Sequence, residues 1–93
     1  MRIRNKWSIT VTTREDISKW IKKGKDKGSK FLIIACDTFE YEDYPVFCKD
    51  ADECKSEYAK RNGHNMQKIM EVYDLSKDTD LPLRQGRSMQ VPW

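Results

Sequence analysis

The feature that most constrains the fold of this chain is a run of six residues, 31–36, in which every side chain is apolar. The run is too short for a typical helix and is rich in β-forming residues, so it predicts a strand. Alternate side chains of a strand point to opposite faces, so a strand that is apolar throughout needs cover on both faces. In a chain of 93 residues, 38% of them hydrophobic, that cover has to come from a few helices, from a tail or from a second subunit.

Three further segments have strand patterns. Apolar and small polar residues alternate over 7–12, which is typical of a strand with one buried face. A short strand is predicted at 44–48, where Pro45 is tolerated near a strand start or at a sheet edge. The last strand is predicted at 66–74. Its alternation predicts one face with Ile69, Glu71 and Tyr73 and another with Lys68, Met70 and Val72.

Two helices are predicted between these strands. The first begins at Thr12 or Thr13, each of which has an acid three residues later in the spacing of a capping box. Its apolar positions fall at helical intervals, and Gly24 is expected to end it. The second begins at Asp50 by the same capping logic and ends at Gly63.

The predicted order is β-α-β-β-α-β, which makes the chain an α+β protein. Two strand–helix–strand units joined by a hairpin are similar in layout to the ferredoxin-like split βαβ sandwich. That layout would place the strand at 31–36 at a sheet edge and the strand with Pro45 in the centre, which fits neither sequence well. We expect residues 1–75 to form one domain. Residues 76–93 are expected to form an extended C-terminal tail that packs on the domain or on a second subunit.

Charge is sorted along the sequence. Residues 1–30 carry ten basic and three acidic side chains, whereas residues 31–57 carry eight acidic and two basic ones. Opposite charges in separate segments help two copies to orient, and the strand at 31–36 needs cover on both faces. We therefore expect a homodimer.

The strongest candidate site is an acidic-aromatic loop between the strands at 31–36 and 44–48. Aromatic side chains in such a loop either pack back onto the core or form a recognition surface. We interpret the chain as a small non-enzymatic module that binds a protein partner through this loop. The predicted contact residues are Asp37, Phe39, Glu40, Tyr41, Glu42, Asp43 and Tyr44.

Two alternatives stay open. The basic first third indicates a nucleic-acid-binding module, although the sheet strands lack the pattern of RNA-recognition domains. The second alternative is a protein that binds or sequesters a small ligand. The predicted nucleic-acid contacts are Arg2, Arg4, Lys22, Lys23, Lys25 and Lys27, and the predicted ligand pocket is Asp37, His64, Asn65 and Glu71.

The cysteines and the single histidine predict neither a metal site nor a disulfide. Zinc sites usually include a closely spaced ligand pair, and Cys36, Cys48, Cys54 and His64 have none. The sequence also lacks the glycine-rich and nucleophile motifs of common enzymes. We therefore expect no catalytic residues, no cofactor, no metal and no membrane span. A cytoplasmic location is expected, and short charged domains of this kind are typical of phage and mobile-element genomes.

Overall fold

The computed structural model describes residues 12–86 and 88–93, and these residues form a small α+β structure. It contains a three-stranded antiparallel sheet and three helices. The third helix lies in the tail, where the sequence predicted no regular structure. The elements are α1 (Arg14–Asp26), β1 (Phe31–Asp37), β2 (Glu42–Cys48), α2 (Ala51–Arg61), β3 (Gln67–Asp74) and α3 (Asp80–Gln85).

The order of the described strands is β2-β1-β3, so the most apolar strand lies in the middle. The ferredoxin-like layout would place β1 at an edge, and that layout is not confirmed. Pro45 lies in β2, beside β1 and not between two of the described strands, which suits a residue that lacks a backbone donor. The first predicted strand, 7–12, lies outside the described residues except for Thr12.

Both faces of β1 are covered by helices of the same chain. One face packs on α1 and the other on α2, and residues 32 to 35 have no exposed surface. A second subunit is therefore not needed to cover this strand, because the two helices lie on opposite faces of the sheet. The α1 layer holds Ile17, Ile21, Leu32, Ile34, Tyr73 and Leu75, and the α2 layer holds Phe31, Ile33, Ala35, Cys48, Cys54, Ile69 and Val72.

Helix α1 begins as predicted but ends later than predicted. Thr13 is the N-cap and forms a capping box with Asp16. Gly24 does not end the helix but lies buried within it. A Cβ at this position would stand 2.7 Å from Leu75 Cδ1, so a larger residue would not fit without a shift. Gly28, with φ of 80°, provides the left-handed turn after the helix. Gly24 is thus required by close packing, and the glycine that marks the end of the helix is Gly28.

Strand β3 contains a register shift that changes which side chains share a face. Glu71 lies opposite Ile34, while Ile69 lies opposite Ala35, so Met70 has no partner on β1. A bulge of this kind interrupts the strict alternation of a strand. The predicted face with Ile69, Glu71 and Tyr73 was therefore wrong. Ile69 packs in the α2 layer, and Glu71 and Tyr73 lie on the α1 side.

The tail crosses the sheet from the α1 side to the α2 side. Leu83 of α3 packs against the α1 layer. The chain then runs beside β3, where the N–H of Val72 donates to Ser88 O (2.8 Å) and the N–H of Gln90 donates to Val72 O (2.9 Å). Beyond that point Val91 packs against the α2 layer. The tail thereby contacts both layers and pairs with the edge of β3 that faces away from β1.

Candidate functional site

Three large apolar side chains stand in solvent at the end of the sheet where β1 ends. Phe39 and Tyr41 lie in the β1–β2 loop, and Met66 lies in the α2–β3 turn. Their exposed fractions are 66%, 75% and 59%. The two segments are joined by a hydrogen bond from Thr38 N to Met66 O (2.8 Å). We call Phe39, Tyr41 and Met66 the tip surface.

The backbone at the tip surface is held in a defined shape. Asp37 Oδ1 accepts hydrogen bonds from the N–H groups of Phe39 (2.9 Å) and Glu40 (3.2 Å), a turn that aspartate commonly forms. Tyr41 and Met66 have φ of 56° and 58°. The left-handed region is uncommon for residues other than glycine and persists where the surroundings fix it. The loop therefore presents its aromatic side chains from a fixed turn.

The structure divides the predicted contact residues into different roles. Tyr44 lies within β2, packs against the α2 layer and contacts the side chain of Gln67. The expectation that aromatics pack back onto the core therefore describes Tyr44, whereas Phe39 and Tyr41 are exposed. The loop is also shorter than predicted, because Glu42 and Asp43 belong to β2. Asp37 shapes the turn, and Glu40 and Glu42 already have interaction partners within the chain.

The predicted ligand pocket is not assembled. Asp37 pairs with Gln67 at the tip end of the sheet, beside the exposed turn of His64 and Asn65. Glu71 instead pairs with Ile34, three residues back along β1, and it is buried. The strand thus separates Glu71 from the other three members of the predicted set.

Glu71 belongs to a different, partly buried polar cluster that the sequence analysis missed. Arg14 makes a two-pronged contact with its carboxylate: Nη1 donates to Oε1 (3.0 Å) and Nη2 donates to Oε2 (2.6 Å). The hydroxyl of Tyr73 donates to the same Oε1. Arg14 Nη1 also donates to Leu83 O in α3 (3.1 Å), and the backbone N–H of Ser88 donates to Glu71. We call Arg14, Glu71 and Tyr73 the Glu71 cluster.

Within the Glu71 cluster, Arg14 and Glu71 form an ion pair and Tyr73 stays neutral. Burial opposes ionisation of Glu71, but the hydrogen bonds from Arg14 and Tyr73 outweigh it, so the pKa of this carboxyl is lowered. Burial, followed by the bond to Glu71, raises the pKa of Tyr73 and keeps its hydroxyl protonated. Because both carboxylate oxygens are bonded, the cluster ties α1, β3 and the tail together. This arrangement is typical of structural support.

A shallow cleft of about 260 Å³ lies beside the outer edge of β3, next to this cluster. It is lined by Lys68, Ile69, Met70, Glu71 and Met89. The carboxylate of Glu71 is already bonded to Arg14 and Tyr73. Apart from Glu71, the described lining consists of one cationic side chain, Lys68, and three apolar ones. We find no catalytic arrangement among these described lining residues.

Cys48 and Cys54 contact each other, whereas Cys36 and His64 lie elsewhere in the structure. Cys48 and Cys54 are fully buried in the α2 layer, and the contact with Cys54 together with burial raises the pKa of the Cys48 thiol. Cys36 is partly exposed, and His64 lies in the turn at the tip end. Among the described residues, no group of three or more His, Cys, Asp and Glu side chains is placed to hold a metal ion.

The predicted basic contacts in α1 and at its C-cap, Lys27, are only partly available for a partner. Lys25 Nζ donates to Thr79 Oγ1 (3.3 Å), and Lys27 Nζ lies 4.3 Å from the centre of the Phe47 ring. Lys22 and Lys23 are exposed. The predicted contacts Arg2 and Arg4 lie outside the described residues.

Comparison with protein-family models, with curated proteins and with solved structures finds no match to this chain. In the part of the chain that the structure describes, no helix has the length and apolar character needed to cross a membrane. The geometry of the described residues is therefore the evidence on which a function is proposed.

Proposed function

We propose that this chain is a non-enzymatic interaction module that binds a protein partner through the tip surface. One observation carries the proposal: two aromatic side chains, Phe39 and Tyr41, stand in solvent on a turn whose backbone is fixed by hydrogen bonds. Of the six large apolar residues that are exposed in the described chain, three form the tip surface. A cluster of exposed apolar side chains is typical of an interaction site.

The chemistry of the tip surface favours a protein partner with an apolar pocket. Aromatic side chains are frequent anchors of protein interfaces because they bury a large area with few rotatable bonds. A fixed turn lowers the entropy cost of binding, since little ordering is needed on contact.

The proposal is tested by comparing three forms of the protein as baits in a nuclease-treated cell lysate. The first is the wild type, the second is Phe39→Ser with Tyr41→Ser, and the third is Leu81→Ser. Leu81 is a matched control because it is also exposed (53%) but lies in α3 and is not part of the tip surface. We expect the wild type and the control to retain the same protein partner and the double variant to lose it. Retention by the double variant would contradict the proposal.

A nucleic-acid-binding module is the second candidate, and the exposed Lys22 and Lys23 of α1 favour it. Lysine side chains on one helix face can contact phosphates. A variant with Lys22→Glu and Lys23→Glu discriminates the two candidates. If it loses binding to a nucleic acid while the double tip variant keeps it, the second candidate replaces the first.

The cellular compartment is part of the same proposal. The three cysteines are unpaired, two of them fully buried. Free thiols are typical of proteins in reducing compartments. This supports a cytoplasmic location for the interaction.

A further inference from the structure

The outer edge of β3 and the adjoining face of α2 form a groove that holds an extended segment of the chain. Residues 88–93 lie in it. The backbone of Val72 exchanges two hydrogen bonds with Ser88 and Gln90, and the side-chain Oε1 of Gln90 accepts from Asp74 N (3.0 Å). The ring of Trp93 meets the ring of Tyr58 edge-on, with centroids 5.1 Å apart. The groove therefore recognises its occupant by backbone pairing and by an aromatic contact, as in strand addition.

The occupant packs against the α2 layer through Val91, but its pairing with β3 is short. Met89 forms an isolated bridge to Val72 and not a continuous ladder. Met89 and Trp93 remain 47% and 49% exposed. A segment with a single bridge and half-exposed anchors opens at low cost compared with the sheet itself.

The lead-in to this segment can also change direction. Helix α3 has no buried residue. Exchange would break its contacts with α1, which are the packing of Leu83 and the hydrogen bonds from Arg14 to Leu83 O and from Lys25 to Thr79 Oγ1. Gly86 has φ of 73°, a region that glycine adopts freely, and stands two positions before the segment. The twelve residues 76–87 span up to ~40 Å when extended, which matches the longest dimension of the molecule, 38 Å. The segment is therefore long enough to reach the groove of a neighbouring copy once α3 unwinds.

We propose that the groove between β3 and α2 is a docking site for residues 88–93 of a second copy of this chain. The same contacts to Val72, Asp74 and Tyr58 form within one chain or between two, so exchange loses no interaction at the groove. The balance between the two forms is set by protein concentration and by the lead-in, which is the general basis of domain swapping. This site is independent of the tip surface.

The proposal gives a role to features that the tip surface leaves unused. The other exposed large apolar residues of the described chain, Leu81, Met89 and Trp93, all lie in the tail. The proposal also gives a new reason to expect a homodimer. The earlier reason, that β1 needs cover from a second subunit, does not apply because helices of the same chain cover both of its faces.

Two complementary variants test the exchange. Gln90→Pro removes the N–H that donates to Val72 O and the side chain that accepts from Asp74, so its groove is intact but its segment is defective. Tyr58→Ala has an intact segment but a defective groove. We expect each variant alone to be monomeric at 100 µM by analytical ultracentrifugation. An equimolar mixture should contain a species of twice the mass, because the segment of one variant fits the groove of the other.

A mixture that stays monomeric at this concentration, with both variants folded by circular dichroism, would overturn the proposal. If Tyr58→Ala fails to fold, a fluorescent peptide with the sequence of residues 86–93 is titrated into full-length Gln90→Pro. Saturable binding that is at least tenfold stronger than to the wild type supports the site, because the wild-type groove is occupied. Equal or absent binding overturns it.

Discussion

Replacement of Glu71 by glutamine tests the Glu71 cluster most sharply. The substitution keeps the size and one acceptor oxygen of the side chain but replaces the other oxygen with an amide that donates. It therefore places a donor beside a guanidinium nitrogen of Arg14 and removes the charge that pairs with it. The backbone bond from Ser88 and the bond from Tyr73 lose their charged acceptor as well.

The size of the effect follows from burial. A hydrogen bond to a charged group contributes about 1.5–3 kcal/mol, and removing one partner of a buried pair costs about 3–5 kcal/mol. The side chain of Glu71 is only 7% exposed, but that of Arg14 is 43% exposed. Water can partly solvate the guanidinium after the change, so the loss should fall below the ~3–5 kcal/mol of a fully buried pair and within the range for hydrogen bonds to a charged group. We expect a loss of about 2–3 kcal/mol in the free energy of unfolding.

Urea unfolding followed by circular dichroism measures this loss. With a slope of about 1–1.5 kcal/mol/M for a domain of this size, the midpoint should fall by roughly 2 M. Glu15→Gln is the matched control: Glu15 also pairs with a basic side chain, Lys19 at 3.7 Å, but is 80% exposed. Such a pair contributes under about 0.5 kcal/mol. Equal midpoints for the two variants would refute the reasoning that the Glu71 cluster stabilises the fold.

Three further predictions follow from the same contacts. The pKa of Glu71 is lowered in the folded chain, so its contribution is present above the ordinary glutamate pKa of about 4.3 and is lost as the pH falls below it. The gap between the urea midpoints of the wild type and Glu71→Gln should therefore narrow as the pH falls below about 4.3, and a constant gap would contradict this. Gly24→Ala should destabilise the chain by about 1 kcal/mol, because overpacking against Leu75 and Phe47 outweighs the gain in helix propensity. Ser18→Ala, at an exposed position of the same helix, is the control. A gain in stability for Gly24→Ala would show that Leu75 and Phe47 move aside without cost. A thiol reagent should modify at most Cys36 in the native chain and all three cysteines in urea, since Cys48 and Cys54 are fully buried; fast modification of two thiols without urea would contradict the described packing.

The local elements of the fold were largely predictable, because their signals are short-range. The capping spacing of Thr13 and Asp50 correctly located the starts of two helices. The apolar run at 31–36 correctly predicted a strand with cover on both faces. These signals depend on neighbours within a few residues, and such patterns can be read without knowing the tertiary structure.

The three-dimensional order was not predictable from the same patterns. Two helices that pack on one face or on opposite faces of a sheet have the same periodicity, so the sequence did not exclude a ferredoxin-like layout. The bulge at Met70 also leaves no periodic signal, and it moved Glu71 and Tyr73 to the face opposite Ile69. Gly24 looked like a helix end because glycine is favoured both at helix C-caps and where two elements pack closely, and the sequence does not distinguish the two.

The candidate site was predictable in part. Aromatic residues in the loop were identified from composition, but their division into the exposed Phe39 and Tyr41 and the packed Tyr44 depends on where β2 begins. Met66 joins them only through the hydrogen bond to Thr38, a contact between distant parts of the chain. One signal for the Glu71 cluster was present, namely an acid within an apolar strand, which implies a buried partner.

The central claim, that recognition depends on aromatic anchors at the tip surface, is tested most directly by the salt dependence of binding. The affinity of the recovered partner is measured at 50 and 200 mM salt for the wild type and for Phe39→Ser with Tyr41→Ser. We expect wild-type affinity to change less than tenfold and the double variant to lose most of its binding at both concentrations. Binding driven by phosphate contacts instead falls by about 10³–10⁵ over this range for six to ten contacts. A fall of that size, with the double variant binding as well as the wild type, would contradict the claim.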